Sequence, residues 1–238
     1  MSVDQAKQAV RESIWALLAR ARAVPPDAPR NIPEFAGNDA AAGLLAALPE
    51  WRAAKVVTIV PDTAQLPVRR RALQAGLLIY MACPRLEAPK PFYLMDPEDL
   101  TVPAAQAARK DTAPLVSRNV EVDELQPIDL IVLGSVAVNR RGVRLGKGAG
   151  YSDIEIALLL EAGVIDEHTT IATTVHRLQV VDGELPEAEH DCRVDLIVTP
   201  ESVIRCEEPR RPAGLLWDAL PADKIAAIPA LAARYAAR

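Results

Sequence analysis

Cysteine is scarce in this chain, no apolar run reaches membrane length, and positive charge is not in excess. Cys83, Cys192 and Cys206 lie far apart with no C-x-x-C pair. That spacing indicates neither a zinc site nor a disulfide framework, and it points to a cytoplasmic protein. The longest apolar runs fall well short of the roughly 20 residues that span a bilayer. The start, Met1-Ser2-Val3-Asp4-Gln5, carries an acid early and has no signal-peptide apolar block. A soluble protein with no membrane partner is expected. A net charge of −5 and a pI near 5.3 argue against a nucleic-acid partner, because a phosphate backbone favours a basic surface. No RNA-recognition module with its aromatic strand motif is present. The expected partners are small molecules, and the expected assembly is a monomer or weak homodimer.

The chain does have ample apolar content, 50% of 238 residues, which is enough for one large core and predicts a single domain over residues 1–238. Helical spacing of Val10, Ile14, Leu17, Leu18 and Ala21 predicts a helix over residues 3–23. A proline-punctuated connector follows over 24–33, since each proline fixes φ and removes a donor. Helix 38–48, strand 55–60, helix 67–74 and strand 77–81 then form a β-α-β unit. Residues 84–97 read as another proline-rich loop, and 103–110 as a short helix begun by proline. The run 129–138 reads as a central strand, 154–162 as a helix closed at Gly163, and 170–175 as the next strand. Alternation of strand and helix up to Val198 predicts an α/β fold: three α/β/α layers around a mostly parallel, Rossmann-like sheet.

One stretch carries the chemistry. Residues 140–153 lie between the buried strand and the helix, where α/β proteins hold phosphates. Gly146, Gly148 and Gly150 stand at every second position, so no Cβ stops the backbone from curling around an anion with its amides inward. The following helix adds its positive N-terminal end. Arg140, Arg141, Arg144 and Lys147 bring four cations into the same loop. Asp153 offers a hard oxygen for a magnesium ion that bridges those phosphates. The stretch is not a Walker A motif, lacking Lys-Ser/Thr after the last glycine, and its spacing is not G-x-G-x-x-G. It reads as a nucleotide site.

Residues 144–153 resemble the R-L-G-x-G-x-G-Y-Y-D signature of 5-formyltetrahydrofolate cyclo-ligases, also called methenyltetrahydrofolate synthetases. Gly146 to Glu155 is similar to the signature of a divergent branch, the methenyltetrahydrofolate synthetase domain-containing proteins. The resemblance implies ATP and Mg2+ as cofactors. It implies catalytic roles for Arg144 and Lys147, and nucleotide contacts from Leu145, Gly146, Gly148, Ala149, Gly150, Tyr151 and Ser152. Family members carry a Lys and, four residues on, an Arg on the first helix that contact ATP, and Lys7 and Arg11 match them. On spacing alone these two sit at the edge of the apolar stripe and face along the surface. Residues 189–199 resemble the family's H-D-x-x-V-D segment, which implies that Asp191 shares the magnesium site with Asp153. Asp195 reads as a structural acid at a strand start.

On the substrate side the family places an E-I-x-T segment after the first strand, whose Glu binds folate. Gln65 stands in that region here, without a charge, and together with Tyr151 it is the expected substrate contact. No match to the family's I-x-E-P segment is evident in residues 112–124. Three functions follow: a cyclo-ligase forming 5,10-methenyltetrahydrofolate, an ATP-dependent enzyme of the same fold with a non-folate substrate, or a nucleotide-binding regulator without turnover.

Overall fold

The computed structural model of the chain describes residues 1–208 and 210–238. The first helix, α1 (Val3–Arg20), begins at a capping box in which Ser2 and Gln5 satisfy each other's backbone amides. Helices α2 (Asn38–Ala46) and α3 (Pro49–Ala53) lead into strand β1 (Val56–Ile59), helix α4 (Leu66–Gln74) and strand β2 (Leu78–Ala82). Strand β3 (Phe92–Met95), short helices α5 (Ala104–Ala107) and α6 (Ala113–Val116), and strand β4 (Arg118–Val120) follow. Next come strands β5 (Leu130–Leu133), β6 (Ala137–Asn139) and β7 (Arg144–Leu145), helix α7 (Tyr151–Glu161), and strands β8 (Thr170–Thr174) and β9 (Val180–Val181). Strands β10 (Leu196–Val198) and β11 (Val203–Arg205) and helices α8 (Ala222–Ala227) and α9 (Pro229–Ala236) complete the chain. No helix among the described residues is long and apolar enough to cross a membrane.

The main sheet has eight strands in the order β11-β10-β8-β5-β1-β2-β3-β4. Its five inner strands, β10 to β2, are parallel, and the outer pairings of β11, β3 and β4 are antiparallel. The mostly parallel sheet is thus met, with antiparallel edges added, although a 3-10 turn and β9 rather than a helix separate β8 from β10. Two expectations are corrected. Residues 84–97 are not all loop, because Phe92–Met95 pair with β2 between flanking prolines. Residues 129–138 are not one strand. The chain breaks at Gly134-Ser135, and its second half joins a separate small sheet, β7-β6-β9. Gly134 permits that break at close quarters, since a Cβ there would lie 2.8 Å from Ile32 and 3.2 Å from an Asp62 carboxylate oxygen.

Period-two alternation sorts the inner strands onto two faces. Val57, Ile59, Leu130, Val132 and Ala172 pack with Ile14 and Leu18 of α1, Leu45 of α2 and Val68 of α4. Val56, Ile131, Leu133, Ile171 and Ile197 pack with Ile154, Leu158 and Leu159 of α7 and Leu231 of α9. Three layers result. From β1 the connection to β2 runs one way, while β5 lies on its other side. The crevice at the carboxyl ends of β1 and β5 is therefore the topological switch point, where doubly wound sheets bind ligands.

Candidate functional site

The glycine loop lies over that crevice. The β6–β7 hairpin carries the chain out and back, so that Arg144 points under the loop and residues 146–150 lead into α7. Gly148 has φ +102° and Gly150 φ +73°, both left-handed, and a Cβ on Gly148 would lie 3.3 Å from the Arg11 guanidinium. Gly150 is the N-cap of α7 and offers no side chain to its first-turn amides. The N–H groups of Gly146, Gly148 and Gly150 donate to no backbone carbonyl among the described residues. These amides are available to an anion.

Beneath the loop a cavity of about 40 Å³ is bounded by Asp62, Gly134, Arg144, Lys147, Tyr151 and Asp153 among others. Arg144 is buried, with Nη2 donating to Asp153 Oδ1 at 2.9 Å and Nη1 to the Gly134 carbonyl at 3.3 Å. Lys147 Nζ donates to Asp62 Oδ1 at 3.2 Å. Gly146, Ala149, Gly150 and Ser152 also face this space. Lys7 and Arg11 are not surface residues as their spacing suggested, being only 6% and 8% exposed. Arg11 Nε donates to the Gly146 carbonyl at 2.8 Å, and Lys7 forms an ion pair with Asp191. Burial lowers the Arg11 guanidinium, against the opposing charge of Asp191.

Several expectations change here. Arg141 turns away to Glu184 and Glu208 at 3.0 and 2.9 Å, and Arg140 is exposed beside it, because both sit at the tip of the β6–β7 hairpin. Only two of the loop's four cations therefore reach the cavity. Leu145 is core: its side chain is buried and its carbonyl accepts from Val136 N at 2.7 Å. Gln65 is fully buried and does not line the cavity; its Nε2 donates to Thr174 Oγ1 at 3.1 Å and to the Thr174 carbonyl at 3.3 Å. Three residues earlier, the Asp62 carboxylate does face the cavity.

Asp153 and Asp191 are neighbours, joined by the Cys192 N–H, which donates to Asp153 Oδ1 at 3.2 Å. Asp191 Oδ2 takes Lys7 and the Ala188 N–H, the latter at 2.7 Å. No protein donor reaches Asp153 Oδ2 among the described residues. No group of three or more His, Cys, Asp or Glu able to hold a metal occurs there either. Two carboxylates without a full cage suit a magnesium ion that keeps its water and shares phosphate oxygens.

Three further residues shape the site without having been singled out. Arg69, 1% exposed, donates from Nη1 to the Asp62 carbonyl at 3.0 Å and from Nε to the Ala108 carbonyl at 2.8 Å, pinning the end of β1. Burial lowers its guanidinium to about 10, against the charge of Asp62. Burial raises the Glu155 carboxyl to about 8, although Arg144 opposes that rise. Lys224 approaches the loop from outside, with Nζ 5.1 Å from the Tyr151 ring centroid. Asp195 is structural as expected, accepting the Ile171 N–H at 2.6 Å.

Residues 3–200 match the sequence profile of the 5-formyltetrahydrofolate cyclo-ligase family. The chain belongs to that family. The chain is 34% identical over 240 residues to a mouse methenyltetrahydrofolate synthase domain-containing protein, covering 94% of the chain and 62% of the mouse protein. With the human protein of the same name it shares 33% identity over 244 residues, 97% of this chain and 61% of that one. The chain thus spans about three fifths of the length of these relatives. The NMR structure of Aquifex aeolicus 5,10-methenyltetrahydrofolate synthetase superposes with a TM-score of 0.54 at 21% identity, covering 88% of this chain and 95% of that one. That likeness is one of fold.

Proposed function

We propose that the chain binds ATP at the glycine loop and uses it to close 5-formyltetrahydrofolate to 5,10-methenyltetrahydrofolate. The supporting observation is the meeting, at the switch point of the sheet, of four cations from two distant segments with a turn of unbonded amides. Lys7 and Arg11 come from α1, and Arg144 and Lys147 from the loop.

In this reading the formyl oxygen attacks the γ-phosphorus and ADP leaves. The neighbouring amine then bonds to the activated carbon and gives up its proton, and the carbon–oxygen bond breaks as phosphate departs with that proton. Arg144 and Lys147 balance the negative charge that spreads over the transferring group, while the loop amides and Arg11 orient it. Asp153 and Asp191 would hold Mg2+, which supplies further charge neutralisation at the phosphates when bound. Asp62 faces the same cavity and offers a carboxylate to the folate's hydrogen-bonding edge.

The test is purified protein with ATP, magnesium and 5-formyltetrahydrofolate, followed by absorbance of the cyclised product. Lys147→Ala is expected to lower turnover by about 100-fold or more. Its side chain is 42% exposed, so the melting temperature should hardly move. An equally active variant removes Lys147 from the mechanism. A second reading, the same chemistry on a non-folate metabolite, is favoured by the buried Gln65 and by Tyr151 being the one aromatic ring at the cavity among the described residues. Wild-type protein that binds ATP but is silent with the folate overturns the first reading; ATP turnover with another metabolite then separates this second reading from a nucleotide-binding regulator.

A further inference from the structure

The family match stops at residue 200, yet the chain continues and returns to the site. Beyond β11 the Leu215 N–H donates to Glu161 Oε1 at 3.1 Å, at the far end of α7. Leu215, Ile228 and Leu231 are buried in the same apolar cluster as Ile154, Leu158 and Leu159 of α7. The C-terminal segment is therefore packed beside α7, and α8 comes to rest at the start of that helix. There Lys224 Nζ donates to the Ala149 carbonyl at 2.6 Å and lies over the Tyr151 ring. A Cβ on Gly150 would stand 3.4 Å from the same ammonium.

We propose that Lys224 is a positioning residue for the glycine loop. A lysine on a short C-terminal helix is ordinarily solvated, but this one spends its charge on a main-chain carbonyl in the middle of the turn. The peptide between Ala149 and Gly150 is trans, so its carbonyl and N–H point in opposite directions. Holding the Ala149 carbonyl toward Lys224 fixes the Gly150 N–H on the other side of the turn. Gly150 has no Cβ to restrict it and would otherwise let that peptide plane rotate. The cation–π contact seats the Tyr151 ring at the first residue of α7 by the same tether. Arg11 holds the Gly146 carbonyl from one side and Lys224 holds the Ala149 carbonyl from the other, so the loop is clamped at both ends.

The inference rests on the nucleotide reading only for what the clamped loop is for. The experiment uses the full chain as wild type, K224M and K224R, with two readouts. The first is the rate at which trypsin nicks after Lys147 in the ligand-free protein, followed by mass. The second is the KM for ATP against kcat. K224M is expected to be nicked about fivefold faster and to raise KM about fivefold with kcat changed less than twofold, as loss of one charge-assisted hydrogen bond implies. K224R should recover most of both, and melting temperatures should agree within about 2 °C. Unchanged nicking overturns the clamp, as does a K224M that melts far lower and is nicked throughout. A KM that stays at the wild-type value also overturns it. If the wild type itself binds no ATP, the nucleotide reading falls, and the nicking rate still decides whether Lys224 holds the loop.

Discussion

Arg144 is a buried structural cation to which the proposed reaction also gives a chemical role. Burial alone would lower its guanidinium, and the charges of Asp153 and Asp191 with the hydrogen bond to Asp153 hold it above the ordinary arginine value, so it stays cationic. Removing it leaves Asp153 with only the Cys192 N–H and strands a carboxylate 18% exposed. Arg144→Met is therefore expected to lose about 3 kcal/mol of stability along with activity, measured by urea denaturation at pH 7. Lys147→Ala should lose activity alone. Loss of both properties in Lys147→Ala would show that the two cations are not divided in this way. Arg144, Lys147 and the glycines were legible in the sequence because their chemistry is packed into one short stretch. Asp62 was not, since a single acid after a strand carries no pattern, and its role depends on β1 lying beside β5. Gln65 misled for a related reason: its position after β1 is right, but one turn of 3-10 helix over Thr63–Gln65 rotates it into the core.

Among the elements, the β6–β7 hairpin links the two motifs. Its turn residue Gly142 has φ +88°, and a Cβ there would stand 2.3 Å from the Val194 carbonyl oxygen. The Gly142 carbonyl also accepts the Val194 N–H at 2.9 Å, tying the hairpin to the segment that carries Asp191 and Cys192. Gly142→Ala combines a left-handed backbone with a main-chain clash and should cost at least about 2 kcal/mol. Thermal unfolding checks the cost. The KM for ATP should rise as well, because Asp191 and Asp153 are held in register through this contact; an unaltered midpoint and KM would show that the hairpin is not what aligns them. The apolar run 128–138 concealed this element, since Gly134-Ser135 interrupts it for only two residues before Val136, Ala137 and Val138 resume it.

At the level of the whole molecule, the doubly wound core was legible because each parallel strand reads as a solid apolar block followed by a helical period. The antiparallel edges were hidden by brevity and by prolines, as at Phe92–Met95. The alanine-rich C-terminal segment, whose composition reads as a packing helix interrupted at Pro229, forms α8 and α9 and packs on the core. Leu231 is fully buried against the α7 side of the sheet. Leu231→Ala should cost about 3 kcal/mol in chemical denaturation, a value expected of an interior leucine; a cost under about 1 kcal/mol would mean the tail is merely laid on the surface. The pairing of charges around the cavity has its own consequence. Lys7 with Asp191, Arg144 with Asp153 and Lys147 with Asp62 neutralise three of the four cations and leave Arg11 as the excess positive charge, so a bare phosphate that displaces these pairs would strand their carboxylates. In the proposed reaction a divalent ion arriving with the polyphosphate would take up the carboxylates those cations release, so the metal complex is expected to bind more tightly than the free anion.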